Sequence, residues 1–191
     1  MIYDEFQTRA IAARDRGEST IVSAPTGAGK TAIAEHAIRD CLKRGERVIY
    51  TAPLKALSNQ KYRDFGGAFP GRVGILTGDV SLDPRAPLLI MTTEILRNQV
   101  LEGTADLSDV GWAIFDEIHY LDDPERGTVW EETLILLPRT VKILALSATI
   151  PNLREFAAWI ESALIPLLRD QATRVGLKTL APQLPRERLW S

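Results

Sequence analysis

The chain has 191 residues, of which 45% are hydrophobic and 25% are charged, and this ordinary globular mixture excludes disordered, collagen-like and coiled-coil proteins. The formal charge of −2 excludes a protein that holds nucleic acid on a broad basic face, so any nucleic-acid contact should be local, made by loops and helix ends. A single cysteine, Cys41, suits a reducing cytoplasm, and no apolar stretch approaches the ~20 residues of a membrane-spanning helix, so we expect a cytoplasmic protein with no membrane partner.

Apolar runs of strand length alternate with stretches of helical periodicity along most of the chain. In chain order the predicted elements are a helix carrying Phe6, Ala10 and Ala13, strand Ser19–Ala24, helix Thr31–Arg44, strand Arg47–Ala52, helix Leu54–Phe65, strands Arg72–Leu76 and Leu88–Met91, helix Thr93–Leu101, strand Trp112–Asp116, helix Thr128–Leu137, strand Lys142–Ser147 and a helix from Asn152 to about Ile160. This alternation predicts an α/β fold with three layers, in which a mostly parallel sheet carries helices on both faces.

The composition changes after Glu161. Residues 162–191 hold three prolines and show no clear periodicity beyond a possible short helix at 164–171. We therefore expect residues 1–161 to form one domain and residues 162–191 to be a weakly specified C-terminal tail.

A glycine-bearing run, residues 24–31, lies between a predicted strand and a predicted helix. Its last three residues satisfy the P-loop pattern, although alanine stands where the strict pattern has its first glycine. Gly27 and Gly29 would let backbone N–H groups turn inward around phosphate oxygens. Lys30 would add a charge for the β- and γ-phosphates, and the Thr31 hydroxyl could bind Mg²⁺. The alternative is a turn that merely caps a helix, but the strand before it, the helix after it and the Lys-Thr pair favour nucleotide binding.

A pair of acidic residues follows the apolar strand at 112–115. Asp116 could hold Mg²⁺ through a water, and Glu117 could orient and deprotonate an attacking water. The alternative is that the pair is a solvated helix start, and His119 alone would more often be a structural or surface residue. The phosphate loop favours the catalytic interpretation of the pair.

Two hydroxyl residues, Ser147 and Thr149, lie at the end of the predicted strand 142–147. They could hydrogen-bond to Glu117 or His119 and sense the γ-phosphate, because the carboxyl ends of parallel strands meet at one edge. The alternative is an ordinary turn at the end of a strand.

These motifs, taken together and in this order, resemble the first RecA-like domain of superfamily 2 helicases, and more narrowly the Ski2-like DExH-box RNA helicases. The segments that carry the resemblance cover roughly residues 3–161 and are Phe6-Gln7, Ala24–Thr31, Pro53–Tyr62, Thr77–Asp79, Met91–Glu94, Asp116–His119, Gly127–Glu132 and Ser147–Thr149.

The resemblance implies a RecA-like P-loop fold for residues 1–161 and the activity of an ATP-dependent RNA helicase. The implied cofactors are ATP and Mg²⁺, and the implied partner is RNA rather than DNA. A second RecA-like domain, which supplies arginine fingers to the γ-phosphate, is expected as a partner and not within this chain. Because such a finger contributes about 10³–10⁵ in rate, we expect the isolated domain to hydrolyse ATP weakly or not at all.

The resemblance also assigns roles residue by residue. The implied catalytic residues are Lys30, Asp116, Glu117 and His119. The implied nucleotide-binding residues are Gln7, which would read the adenine, with Thr26, Gly27, Ala28, Gly29, Lys30 and Thr31. Thr31 and Asp116 would bind the metal, and Ser147 and Thr149 would couple hydrolysis to movement. The implied nucleic-acid contacts are Pro53, Lys55, Thr77, Gly78, Thr92 and Thr93.

Two other functions are compatible with parts of this pattern. One is a catalytically incompetent regulatory module that binds nucleotide and nucleic acid. The other, a generic P-loop kinase or transporter ATPase, would explain the phosphate loop and the acidic pair but would leave Pro53–Tyr62, Met91–Glu94 and Ser147–Thr149 without a purpose.

Overall fold

A computed structural model describes residues 3–122, 127–149, 158 and 178–180. The helices in these residues are α1 (Glu5–Asp15), α2 (Lys30–Arg44), α3 (Lys55–Ala68), α4 (Thr93–Leu101) and α5 (Gly127–Leu136), with a 3₁₀ turn at Ile118–Asp122. The strands are β1 (Thr20–Ser23), β2 (Arg47–Ala52), β3 (Val73–Leu76), β4 (Ser81–Leu82), β5 (Leu88–Thr92), β6 (Val110–Phe115), β7 (Lys142–Ser147) and β8 (Lys178–Leu180). None of the described helices is both long and apolar enough to cross a membrane.

The described strands form one sheet in the order β4-β3-β5-β2-β6-β7-β1-β8. Every neighbouring pair is parallel except β3 with β4. The register sets Ser23 opposite Ser147, and it sets Phe115 opposite both Ala145 and Thr51. The carboxyl ends of the central strands therefore finish at the same edge of the sheet.

Helices cover both faces of this sheet. In β6, Trp112 and Ile114 face a core that α1, α2 and α3 complete, whereas Ala113 and Phe115 face a second core with residues of α4 and α5. Since successive strand residues point to opposite faces, apolar residues on both faces require cover on both sides. The predicted three-layer α/β fold with a mostly parallel sheet is confirmed.

The buried side chain of Arg14 fastens α1 to α2. The side chain is only 2% exposed, and its guanidinium makes an ion pair with Asp40 and donates a hydrogen bond to the carbonyl oxygen of Ala37 at 3.2 Å. It also lies 5.1 Å from the ring centre of Trp112 and 3.0 Å from the sulfur of Cys41. Burial raises the pKa of the Cys41 thiol to about 11, in spite of the nearby Arg14 charge. Helix α1 is thus held in place by a polar contact inside an apolar layer.

The structure adds elements that the sequence did not predict. Strand β4 has two exposed residues that pair with β3, and β8 pairs in parallel with β1 although it falls within the expected tail. Neither segment is long enough to show a period in sequence. The predicted helix at 152–160, apart from residue 158, and the possible helix at 164–171 lie outside the described residues.

Candidate functional site

Three predicted motifs lie side by side at the carboxyl edge of the sheet. The phosphate loop follows β1, the acidic pair follows β6, and the Ser147–Thr149 segment begins at the last residue of β7, which lies between those two strands. The Ala24 amide donates to the Ser147 carbonyl at 3.2 Å, so the loop starts directly beside the end of β7. Parallel sheets of this type bind ligands outside the carboxyl ends of their strands.

The phosphate loop needs its two glycines for backbone reasons. Gly27 and Gly29 both have φ +82°, in the left-handed region that side chains disfavour. At Gly29 a Cβ atom would also lie 2.5 Å from the Nε2 atom of Gln7. Thr26 and Gly27 are exposed, and α2 begins at Lys30, so the amide-rich end of that helix faces the loop. This geometry suits an anion.

The Lys30 ammonium lies across the loop. Its Nζ atom donates to the carbonyl oxygen of Ala24 at 2.7 Å and to that of Pro25 at 3.1 Å. Partial burial lowers the pKa of Lys30, and the negative charges of Glu117 and Asp116 only partly oppose this. The Lys30 charge therefore lies among atoms of the phosphate loop, and the acidic pair is close enough to influence its pKa.

Gln7 joins the start of α1 to the phosphate loop. Its Nε2 atom donates to the Gly29 carbonyl at 3.0 Å and to the Ala28 carbonyl at 3.4 Å, and its Oε1 atom accepts from the Asp4 amide at 2.9 Å. Both ends of the amide are used, so Gln7 supports the loop directly. Its expected contact with adenine stays a prediction.

Asp116 is buried and held by two donors. Its Oδ2 atom accepts a hydrogen bond from the Tyr50 hydroxyl at 2.6 Å, and its Oδ1 atom accepts from the Glu117 amide at 3.1 Å. Burial, and then the Asp116 charge, raise the pKa of Tyr50 well above its usual range. Tyr50 therefore stays protonated and acts as a donor, which fixes the orientation of the carboxylate.

A lysine that the sequence analysis did not select lies between the two predicted metal ligands. The Lys61 Nζ atom is 3.3 Å from the Asp116 Oδ2 atom and 3.3 Å from the Thr31 Oγ1 atom. Lys61 comes six residues after Lys55, which is roughly 240° around the helix, so it faces the sheet while Lys55 faces solvent. The helical spacing shows only that the two lysines lie on different faces of α3, and the contact with Asp116 follows from the packing of the helix against the sheet.

The oxygen atoms around Lys61 fit Mg²⁺. Both Thr31 and Asp116 offer hard oxygen donors, which Mg²⁺ prefers, and the two oxygens already share one cationic group. They are therefore separated by no more than twice their distance to that ammonium. Thr31 and Asp116 are the described residues that could hold the metal.

Glu117 has an unusual backbone conformation next to Asp116, one of the two predicted metal ligands. Its φ is +57°, a left-handed value that costs a non-glycine residue about 1–2 kcal/mol. Its Oε2 atom lies 3.3 Å from the Nδ1 atom of His119, which is also 3.4 Å from the Ala148 amide nitrogen. Nδ1 can accept from that amide when it carries no proton or donate to the carboxylate when it carries one, so the two contacts exclude each other.

The Ser147 hydroxyl makes no hydrogen bond to Glu117 or His119 in the described part of the chain. Ser147 is buried, and its Oγ atom has no hydrogen-bond partner among the described residues, while Thr149 is exposed. The structure instead brings the Ala148 backbone to His119, and the Ser23 hydroxyl donates to the Ala148 carbonyl at 3.0 Å. The link between the third motif and the acidic motif therefore runs through a backbone amide, which no side-chain pattern reveals.

The other half of the edge carries the predicted nucleic-acid contacts. Strands β3, β5 and β2 are adjacent there. Thr77 and Gly78 follow β3, and Thr93 follows β5. Pro53 and Lys55 follow β2. Thr77, Thr92 and Thr93 are buried, and the Thr93 hydroxyl has no hydrogen-bond partner within the described residues.

Lys55 is the exposed cation of this half of the edge. Its Nζ atom pairs with Asp79 at 2.6 Å, beside the exposed Gly78. Groups that could bind a ligand there include this ammonium and the first-turn amides of α3 and α4, which have no acceptor within their own helices.

Comparisons with known proteins agree with this arrangement. The DExH-box ATP-dependent RNA helicase DExH9 of Arabidopsis thaliana is 54% identical over 157 residues, which are 82% of this chain and 16% of that protein. The human exosome RNA helicase MTR4 is 55% identical over 159 residues, 83% of this chain and 15% of that protein. The human Superkiller complex protein 2 is 57% identical over 157 residues, 82% of this chain and 12% of that protein. The chain thus spans only 12% to 16% of the length of these relatives.

The names of these relatives confirm the resemblance to Ski2-like DExH-box helicases that the ordered motifs predicted. A family model for the DEAD/DEAH box helicase matches residues 4–156, which include the phosphate loop, the acidic pair and both halves of the sheet edge. The chain therefore belongs to the DEAD/DEAH box helicase family, whose domain has the RecA-like fold.

Proposed function

We propose that this chain is the ATP-binding half of an ATP-dependent RNA helicase. It binds ATP and Mg²⁺ where β6, β7 and β1 end, and single-stranded RNA backbone where β3, β5 and β2 end. The observation that carries the proposal is the sheet order, which sets the phosphate loop, the acidic pair and Ser147–Thr149 after three neighbouring parallel strands. A generic P-loop enzyme would leave the other half of the edge without a purpose.

Each residue near the phosphate loop has a defined task in this proposal. The Lys30 ammonium leaves the carbonyl oxygens of Ala24 and Pro25 and binds the β- and γ-phosphates, while the amides around Gly27 and Gly29 bind phosphate oxygens. Gln7 stays close to the loop and contacts the adenine.

Thr31 and the acidic pair would hold the metal and the attacking water. Thr31 and Asp116 hold Mg²⁺, which neutralises charge on the phosphates when it is bound. Glu117 orients the water and takes its proton, and His119, whose Nδ1 atom lies beside both Glu117 and the Ala148 amide, links this step to the end of β7. Ser147 and Thr149 belong to the same coupling segment.

The RNA contacts in this proposal are to the backbone rather than to bases. Lys55 and the amide groups near Gly78 and Thr93 would bind phosphates, as backbone amides and helix starts commonly do. Pro53, Thr77 and Thr92 are buried, so they support the backbone that lines the proposed RNA track. The names of the relatives, two of which contain "RNA helicase", support RNA over DNA. A cytoplasmic location, expected from the single cysteine, stays a prediction.

Efficient hydrolysis needs a second RecA-like domain in this proposal. We take residues 1–161 as the first RecA-like domain and residues 162–191 as a segment of undefined role. Arginine fingers from a second domain contribute about 10³–10⁵ in rate, so the chain alone should turn over ATP very slowly.

The decisive experiment measures ATP hydrolysis by the chain alone, and then with a second RecA-like domain of a relative added as a separate polypeptide together with single-stranded RNA. We expect stimulation of at least about 100-fold, lost in Glu117→Gln and weaker with single-stranded DNA of the same length. If the chain binds ATP and RNA but neither addition nor Glu117→Gln changes the rate, it is instead a regulatory module without catalysis.

A further inference from the structure

The ammonium of Lys61 is held by three groups at the centre of the nucleotide half. It contacts the Asp116 carboxylate and the Thr31 hydroxyl at 3.3 Å each, and it lies 5.7 Å from the centre of the Tyr50 ring. The Lys61 side chain is 15% exposed and the Asp116 side chain is 10% exposed, so water screens this pair weakly. Lys61 thus provides a positive charge between the two proposed metal ligands.

A metal ion and this ammonium cannot use the same oxygens at the same time. Mg²⁺ binds oxygen at about 2.0–2.1 Å and demands near-octahedral geometry, with ligands bound directly or through its own waters. An ammonium that hydrogen-bonds to the Thr31 hydroxyl and forms an ion pair with Asp116 occupies that volume, and two positive charges a few ångströms apart repel each other. The side chain of Lys61 must therefore move away before the metal can be held.

We propose that Lys61 is a built-in competitor of Mg²⁺, whose ammonium must leave Thr31 and Asp116 before the metal binds there and which thereby sets the Mg²⁺ concentration that nucleotide binding requires. The inference rests on the proposed function and adds a positioning residue to it. Lys61 keeps the Asp116 charge neutralised while no metal is bound, and it raises the concentration at which the metal takes over. The same charge opposes that of Lys30, whose pKa it helps to lower.

The test measures Mg²⁺ binding rather than turnover. A fluorescent ADP analogue is titrated with Mg²⁺ against wild type and Lys61→Met, and thermal unfolding is followed with Mg²⁺ alone. We expect Lys61→Met to lower the half-saturating Mg²⁺ concentration by about tenfold, because one repelling charge is removed, and to unfold at a lower temperature without divalent ions. Adding Mg²⁺ should raise its melting temperature more than that of wild type.

Three further variants separate the competing role from other effects of substitution. Lys61→Arg keeps the charge and should keep the wild-type Mg²⁺ midpoint within about twofold. Lys43→Met removes the same charge at the exposed far end of α2 and should also leave the midpoint unchanged. If Lys61→Met fails to fold, Lys61→Gln makes the same test with a polar side chain.

Each outcome decides something definite. A folded, uncharged variant at position 61 whose Mg²⁺ midpoint is unchanged or higher overturns the inference, while the Mg²⁺-dependent binding of wild type still supports the proposed function. If wild type itself binds no nucleotide at any Mg²⁺ concentration, both fall together. A lower midpoint in the uncharged variants alone supports the inference.

Discussion

The hydroxyl of Tyr50 donates a hydrogen bond to the Asp116 carboxylate at 2.6 Å, in the middle of the sheet edge. Tyr50 is fully buried, and its ring meets that of Phe65 edge-on at 5.1 Å. Since the ring is fixed by packing and the phenol stays protonated, the donor has one position. It leaves the carboxylate free to use its remaining lone pairs on a cation.

Tyr50→Phe should weaken Mg²⁺-dependent nucleotide binding. The ring packing is kept and the donor is lost, so the carboxylate of Asp116 is less well oriented. We expect the half-saturating Mg²⁺ concentration to rise several-fold and the free energy of unfolding to fall by about 1 kcal/mol. Metal titration with a fluorescent nucleotide and urea unfolding measure the two effects. Unchanged metal dependence would show that Tyr50 is a core residue only.

Lys30→Ala should abolish most nucleotide affinity with little loss of stability. Among the described residues this ammonium bonds to the carbonyl oxygens of Ala24 and Pro25 in the loop and to no core side chain, so its removal leaves the core intact. The substitution removes a positive charge that would bind the phosphates. We therefore expect at least about a 100-fold increase in the dissociation constant of an ATP analogue. Lys43→Ala, on the same helix, is the matched control. Equal affinity in the two variants would refute the phosphate role of Lys30.

Gly29→Ala and Gly17→Ala form a matched pair of variants that separates the effect of backbone strain from the effect of a contact with Gln7. Both glycines have left-handed φ values, +82° and +75°, so both substitutions should cost about 1 kcal/mol of unfolding free energy. A Cβ atom at position 29 would also meet Gln7, whereas one at position 17 would meet nothing within 4 Å. We therefore expect only Gly29→Ala to weaken nucleotide binding, measured with a fluorescent analogue. Equal binding by both would mean that the contact with Gln7 does not position the loop.

The ion pairs of Asp40 make a pH-dependent contribution to stability. Burial alone would raise the pKa of Asp40, but Arg14 and Arg44 together hold it below the usual value. A carboxyl with a lowered pKa in the folded state stabilises the protein above its unfolded pKa of about 4, and this contribution disappears as the pH falls through the folded pKa.

Asp40→Asn should therefore destabilise the protein at pH 7 and lose its effect in acid. The carboxylate is 35% exposed, so solvent screening limits the expected difference to about 0.5 kcal/mol. Urea unfolding of both proteins at a series of pH values between 7 and 3 measures the difference. A difference that is constant over this range would contradict an electrostatic origin.

Much of the fold follows from patterns that are strong in the sequence. The bounds of Arg47–Ala52, Thr93–Leu101 and Lys142–Ser147 are as predicted, because each combines a clear period or apolar run with turn residues beside it. The meeting of the phosphate loop with the acidic pair was also predictable. Parallel strands separated by helices must end at one edge, and the motifs follow those ends.

The residues that the sequence analysis missed have side chains whose role depends on neighbours far away in the chain. Tyr50 lies within an apolar strand and is typical of a core residue, and Lys61 is typical of a solvated helix face. Their contacts with Asp116 come from the order of strands in the sheet, which no local pattern encodes. The contact of the Ala148 amide with His119 cannot be predicted from the sequence for another reason, since every residue except proline has such an amide.

Helix α3 extends from one half of the sheet edge to the other. Lys55 lies in its first turn and faces the track proposed for RNA. Lys61 lies about 9 Å further along the helix axis and makes an ion pair with Asp116. Helix α3 packs on the core through the buried Phe65, so it holds the two lysine backbone positions at a fixed separation. The proposed metal site and the proposed RNA track therefore draw their cations from one rigid support, and a substitution that displaced α3 would disturb both.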